Sequence, residues 1–190
     1  MTRMLARWMI PLAMLSLCGA SFSALAQKVK LTTSLGDIVV EIDAVKAPKS
    51  AANFLQYVKD GHYNGTVFHR VIDNFMIQGG GMLPDLSQKP TRPPIPLESR
   101  NGLDNVRGTL AMARTNDPNS ATSQFFINLK DNEFLNASKS ADGNGYAVFG
   151  KVVAGMDVVD KIRAVPTTSK GPYQNVPAEP VFIKQATLEK

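Results

Sequence analysis

The chain has 190 residues, a formal charge of +5, one cysteine and two histidines, and 44% of its residues are hydrophobic. That is the length of one domain with material for a sizeable core, and its mild positive charge comes without the lysine or arginine runs of a nucleic-acid binder. A lone cysteine, Cys18, excludes an internal disulfide framework and a cysteine-ligated metal.

The first element is a targeting pattern. Arg3 and Arg7 give a positive start, Trp8 to Leu17 is apolar, and Ala24-Leu25-Ala26 is a small-x-small cleavage site. The pattern predicts a secretory signal peptide over residues 1–26 and a single domain over 27–190. The competing readings are an uncut membrane anchor, for which the apolar run is short, and a lipid anchor on Cys18, against which Leu17 stands where a small residue belongs. Cleavage removes 26 of 190 residues and leaves 164, and the loss of Arg3 and Arg7 lowers the charge from +5 to +3. The expected destination is the periplasm, or the outside of the cell.

Val29–Thr33 and Asp37–Ile42 read as two strands around the turn Ser34-Leu35-Gly36-Asp37. Pro48 opens a helix, since proline suits a first helical position, and Asp60-Gly61 stops it. Ala51, Phe54, Leu55 and Val58 form its apolar face. Val67 to Gly81 is a strand, a turn at Asp73-Asn74, a second strand and three glycines. Met82 to Arg107 carries five prolines, too many for regular structure, and reads as an ordered loop packed over the domain. Gly108–Ala113, Thr122–Leu129 and Tyr146–Val153 read as strands, with a short turn at Asn132–Leu135 and a flexible loop at Ser140–Gly145. A second helix is predicted from Met156 to about Ile162. Thr167 to Pro180 reads as loop, and Val181–Leu188 as the last strand. Many short strands and two amphipathic helices point to an antiparallel barrel or sandwich with helices over its open ends.

Most catalytic chemistries lack their residues. His62 and His69 have no carboxylates at metal-ligand spacing, so one is expected at the surface and the other as a hydrogen-bonded structural histidine. Asp142-Gly143-Asn144-Gly145 lacks the register and closing glutamate of a calcium loop and reads as turn chemistry. Gly79-Gly80-Gly81 has neither the lysine nor the following helix of a phosphate cradle. There is no Gly-x-Ser-x-Gly elbow. Two stretches remain, Phe68-His69-Arg70-Val71-Ile72 with Phe75-Met76-Ile77-Gln78, and Ser123-Gln124-Phe125-Phe126-Ile127-Asn128. Both set polar side chains among aromatics in short strands. Taken alone, Arg70 would be a strand-end arginine reaching solvent or a carboxylate. Taken with its neighbours, it offers one fixed donor, an apolar cup and amides for a peptide backbone. Rotation about a Xaa-Pro bond needs those groups and no nucleophile, metal or cofactor. Its barrier of about 18–20 kcal/mol comes from amide resonance, and a donor to the prolyl nitrogen weakens that resonance once the bond is twisted.

These motifs, in this order, resemble the cyclophilin family of peptidyl-prolyl isomerases. Gly108–Ala113 and Val148-Phe149-Gly150-Lys151-Val152 with Gly155-Met156 carry the likeness further, from about Val29 to Leu188. Within the family the chain is most similar to the periplasmic cyclophilins of Gram-negative bacteria, through Arg114-Thr115, Gly145-Tyr146-Ala147 and Gly171–Pro177. The resemblance implies a mainly β fold, a closed eight-stranded antiparallel β-barrel capped by two α-helices. It implies Arg70 as the catalytic arginine and Gln78 beside it to hold the substrate carbonyl. It places the proline pocket on Phe75, Met76, Phe126 and Leu135, and the peptide groove on Ala113, Arg114 through its backbone, and Gln124. His69 is implied as supporting structure. Phe134 stands where many eukaryotic members have tryptophan, which implies weak cyclosporin binding, and Tyr146 stands for a rim histidine. No cofactor and no metal are implied. The expected partners are proline-containing, unfolded or partly folded exported polypeptides. A monomer is expected, without nucleic acid and without stable membrane association after signal cleavage. The alternatives to an enzyme for exported proteins are a proline-recognising binding module or chaperone, and a secreted factor acting on a host.

Overall fold

The computed structural model describes residues 27–189; the predicted signal peptide, its cleavage site and Cys18 lie outside them. Eleven strands are formed: β1 (Gln27–Thr33), β2 (Gly36–Ile42), β3 (Thr66–Val67), β4 (Arg70–Ile72), β5 (Met76–Gly79), β6 (Thr109–Met112), β7 (Phe125–Asn128), β8 (Val148–Ala154), β9 (Thr167–Lys170), β10 (Tyr173–Pro177) and β11 (Phe182–Leu188). Two helices accompany them, α1 (Pro48–Lys59) and α2 (Met156–Arg163).

Nine strands make one curled antiparallel sheet in the order β3-β11-β1-β2-β8-β6-β7-β5-β4. The closed eight-stranded barrel expected from the resemblance is not formed. The stretch that would close it breaks at Phe68-His69. Its first piece, β3, pairs with β11, and its second, β4, pairs with β5, so the two pieces become opposite edges of an open half-barrel. Phe68 still donates its N–H to the Val181 carbonyl, which keeps one edge of the sheet beside the chain that leads to the other.

The alternation of side chains across each strand decides which residues enter the half-barrel. Val71, Ile77, Ile127 and Leu110 lie opposite one another on β4, β5, β7 and β6 and all belong to the main core. Helix α1 packs against β8 and β11, and α2 against β2, β4 and β5. Phe54 of α1 meets Tyr63, Phe125 and Phe149 at ring-centroid distances of 5.1, 5.4 and 5.2 Å. Such clusters add about 0.5–1.5 kcal/mol per pair beyond the area they bury.

Helix α1 has no side-chain cap from its own first residues. Glu98, in the proline-rich segment, supplies it instead. Its carboxylate accepts from the N–H groups of Lys49 and Ser50 at 3.0 and 2.8 Å, and from the Ser50 hydroxyl at 2.8 Å. This satisfies orphan donors at the positive end of the helix. The Arg92 N–H adds a bond to the Tyr57 hydroxyl at 2.8 Å. The long segment is therefore packed over the domain, as the strand signals on both sides of it suggested. Thr167–Pro180 departs from expectation: β9 and β10 form a two-stranded hairpin there. Its strand signal is weak because β9, Thr-Thr-Ser-Lys, is almost wholly exposed and shows no alternation of apolar residues.

Candidate active site

The outer face of the same four strands carries the site. Arg70 lies opposite Gln78, Gln78 opposite Phe126, and Phe126 opposite Ala111. Directly opposed residues of antiparallel strands share a face. One cross-strand row thus aligns a guanidinium, an amide, an aromatic ring and a methyl group. The next row holds Ile72 opposite Met76 and Met76 opposite Asn128.

The apolar members form a second hydrophobic cluster. Met76, Ala111, Phe126, Leu135 and Val148 are buried in it, with Phe75, Ile72, Ala113, Leu103 and Tyr146 packed around them. All four predicted pocket residues are therefore together. Phe134 stacks on Phe75 at 5.6 Å and stays 55% exposed. Tyr146 meets the Phe126 ring edge-on at 5.6 Å. Ile72, Ala111 and Val148 were not anticipated, although Ile72 lies two residues from Arg70 on the same strand and so shares its face.

The polar members form a relay. Arg70 donates to Gln78 Oε1 at 3.4 Å, and Gln78 Nε2 donates to Gln124 Oε1 at 2.9 Å. The long first contact leaves the guanidinium weakly engaged. Among the described residues Arg70 has no carboxylate partner, whereas Arg92, Arg107, Arg114 and Arg163 each have one. Gly81 makes room for Gln124, since a Cβ there would sit 2.4 Å from its Cγ. Gly80 takes φ +85° and leaves no room for a Cβ beside the Phe125 and Tyr63 rings.

Arg114 has another job than lining a groove with its side chain. Its guanidinium is buried, donates to the Gly145 and Thr115 carbonyls at 2.9 Å each, and pairs with Asp142. It also lies 4.6 Å from the centre of the Tyr146 ring. The Asn144 N–H, the Arg114 guanidinium and the Gly145 N–H hold the Asp142 carboxyl well below the usual carboxylate range. Asp142–Gly145 is therefore a turn built on a carboxylate, and Arg114 anchors it under the pocket rim. The Ala113 N–H is taken by the Gln124 carbonyl at 3.0 Å.

Beneath the pocket lies an asparagine network that the sequence reading missed. Asn132 Nδ2 donates to Asn128 Oδ1 at 2.8 Å and to the Phe75 carbonyl at 2.9 Å. Asn128 Nδ2 donates to Thr109 Oγ1 at 2.9 Å and to Asn105 Oδ1 at 3.2 Å. Asn136 Oδ1 accepts from the Asn105 N–H at 2.8 Å, and Asn105 Nδ2 reaches the Tyr146 carbonyl at 3.3 Å. Asn105, Asn128 and Asn132 are buried, and each amide nitrogen has a partner while Asn132 Oδ1 has none. The network ties Phe75, the 3-10 turn Glu133–Leu135 and Tyr146 to one another.

The histidines differ from the expectation. His62 is half-buried rather than at the surface, and burial, with Lys89 nearby, lowers its pKa. His69 is buried, its Nδ1 has no hydrogen-bond partner, and burial pushes its pKa down to about 4. It is a buried ring next to Arg70 in sequence. Among the described residues, no three His, Cys, Asp or Glu side chains cluster as a metal site requires.

With this geometry established, the likeness to known proteins can be placed on it. A family profile described as cyclophilin type peptidyl-prolyl cis-trans isomerase/CLD matches residues 28–188. The chain is 51% identical over 188 residues to peptidyl-prolyl cis-trans isomerase A of Dickeya dadantii, covering 99% of this chain and 98% of that one. It is 56% identical over 159 residues to isomerase B of Escherichia coli, covering 83% and 97%. Among solved structures it resembles a Cryptosporidium parvum cyclophilin-type isomerase crystallised in the presence of the dipeptide Ala-Pro. That match has a TM-score of 0.72 and 28% identity, and covers 86% of this chain and 99% of that one.

Proposed function

This chain belongs to the cyclophilin-type peptidyl-prolyl cis-trans isomerases and is an enzyme of that activity; from that premise we propose that Arg70 is its catalytic donor and the outer-face cluster its proline pocket. The observation that carries the reading is the state of Arg70. Among the described residues Arg70 and Arg100 have no carboxylate partner, and of the two Arg70 stands at the edge of an apolar cup, with the Gln78 amide at 3.4 Å as its side-chain contact.

The proline ring enters among Phe75, Met76, Phe126 and Leu135. Arg70 donates to the prolyl nitrogen as its lone pair localises in the twisted amide. In the planar ground state that lone pair is delocalised and accepts poorly, so the bond strengthens only on the way to the transition state. Gln78 sets the orientation of the guanidinium and holds the substrate carbonyl. Gln124 orients Gln78 and, with the backbone of Ala113 and Arg114, lines the peptide groove. The test is isomerisation of a short Xaa-Pro peptide by the protein and by Arg70→Ala. By analogy with loss of one oxyanion donor, the variant falls by about 10²–10³ in kcat/KM. A fall under about threefold in a folded variant rejects the role.

We further propose that the enzyme is exported as a monomer and accelerates folding of proline-containing exported polypeptides. Residues 1–26 have the pattern of a cleavable signal, and uncatalysed isomerisation takes tens to hundreds of seconds, slow enough to limit folding. Recovery of a cell-envelope form beginning at Gln27, measured by intact mass, supports this; a cytoplasmic full-length form alone refutes it. Phe134 offers a ring but no N–H donor at the pocket rim, so cyclosporin should bind weakly, and tight inhibition would contradict that assignment.

A further inference from the structure

The hairpin β9–β10 was read from sequence as a loop, and nothing in the proposed mechanism uses it. It packs against β4, the strand that carries Arg70. Between the two lies a groove of about 420 Å³, with Arg70, Gln78 and Gln124 on one side and Pro172, Tyr173 and Asn175 on the other. That volume falls within the range of small-ligand pockets, about 300–1,000 Å³. Arg70 and Gln78 also face the apolar cup. A chain whose proline sits in the cup and passes the guanidinium therefore continues into this groove.

The hairpin's tip is equipped to meet it. Tyr173 is a large ring left 38% exposed. Among the described residues, the side chains of Tyr173, Gln174 and Asn175 make no hydrogen bond within the protein. Asn175 takes φ +58°, a left-handed conformation uncommon for a residue with a Cβ. Gly171 to Pro177 contains no charged residue. The wall thus selects by ring contact and amide hydrogen bonding, not by charge.

We propose that the β9–β10 hairpin is a specificity wall: Tyr173 contacts a bulky apolar or aromatic side chain on one flank of the Xaa-Pro bond, and the Gln174 and Asn175 amides contact the backbone there. The proposal rests on the reading of Arg70 as the catalytic donor. It separates two substrate classes. Long peptides with a large apolar residue near proline use the hairpin, and a capped Ala-Pro dipeptide, which does not reach it, is indifferent.

The experiment measures kcat/KM for a capped Ala-Pro dipeptide by NMR exchange, and for hexapeptides carrying Phe or Ala at each of the two positions on either side of Xaa-Pro. The protein is compared with Tyr173→Ala, Tyr173→Phe and Arg70→Ala. Tyr173→Ala is expected to lose about two- to tenfold on the Phe hexapeptides of one flank, the worth of one aromatic contact. Ala hexapeptides and the dipeptide stay within twofold, and Tyr173→Phe keeps the selectivity. A uniform loss on every substrate, or no loss on any, overturns the proposal. Arg70→Ala reads the underlying assignment separately: if it keeps full activity on the dipeptide, the catalytic reading fails whatever Tyr173 does.

Discussion

The row Val71–Ile77–Ile127–Leu110 and the row Arg70–Gln78–Phe126–Ala111 run across the same four strands, one residue apart. The first faces the inside of the half-barrel and is wholly apolar and buried. The second faces outward and mixes charge, amide, ring and methyl. They are held differently. The inner row is packed by shape against a cluster of aromatic rings. The outer row sits on a small apolar cluster whose walls are fixed by buried amides. If the outer face binds and releases a flexible chain, as proposed above, it cannot be filled as a core is filled. Its precision comes instead from directional hydrogen bonds, which hold Phe75 and Tyr146 in place while leaving the cup between them open.

This contrast can be broken from either side. The largest effect is expected inside. Phe125→Ala removes a fully buried ring that Phe54, Tyr63 and Phe68 all contact. It should cost about 3–5 kcal/mol of stability, seen as a large drop in the denaturation midpoint, while the protein that remains folded keeps most of its activity per molecule. Equal loss of activity and stability would mean that the two faces are not separable.

His69 lies where the faces meet, and it makes stability depend on pH. Its folded pKa, about 4, is below the ordinary 6.5. Between those values the unfolded chain binds more protons than the folded one, so stability rises with pH. The contribution is complete above about pH 6.5 and is lost as pH falls toward 4. Between pH 7 and 5 the loss is about 2 kcal/mol. Urea unfolding at both pH values, beside His69→Gln, checks it: the variant should show a shallower decline, and parallel curves would remove His69 from the account.

The smallest effect sharpens the contrast. Asn132→Ala deletes the donor to both Phe75 and Asn128 and should cost about 1–3 kcal/mol. It loosens the pocket wall rather than the donor, so KM should rise more than kcat falls. A change confined to kcat would mean that the network acts on Arg70 and not on the cup.

How much of this could be read from the chain varied with the range of the interaction. The β1–β2 hairpin, α1 with Pro48 at its start and Asp60-Gly61 at its end, and the turn at Asp73-Asn74 follow from periodicity and local backbone preference, which need only neighbouring residues. That Phe75, Met76, Phe126 and Leu135 come together was legible because their motifs resemble a known family, and the alternation along β4 and β5 puts Arg70, Ile72, Met76 and Gln78 on one face. The asparagine network was not legible. Asn105, Asn128, Asn132 and Asn136 look like ordinary loop and strand-end residues until folding brings four separate positions together. Two matters were decided by tertiary structure alone. Whether the sheet closes depends on how the strands on either side of Phe68-His69 pair across the molecule, and they leave it open. In the hairpin β9–β10 the second strand lies against β4, an interaction that leaves no periodicity in the sequence. The sequence by itself determined which residues could do the chemistry, since donor, ring and amide are fixed by residue type. The tertiary structure decided how they are partnered, since only the fold shows that, among the described residues, Arg70 lacks the carboxylate partner that Arg92, Arg107, Arg114 and Arg163 have.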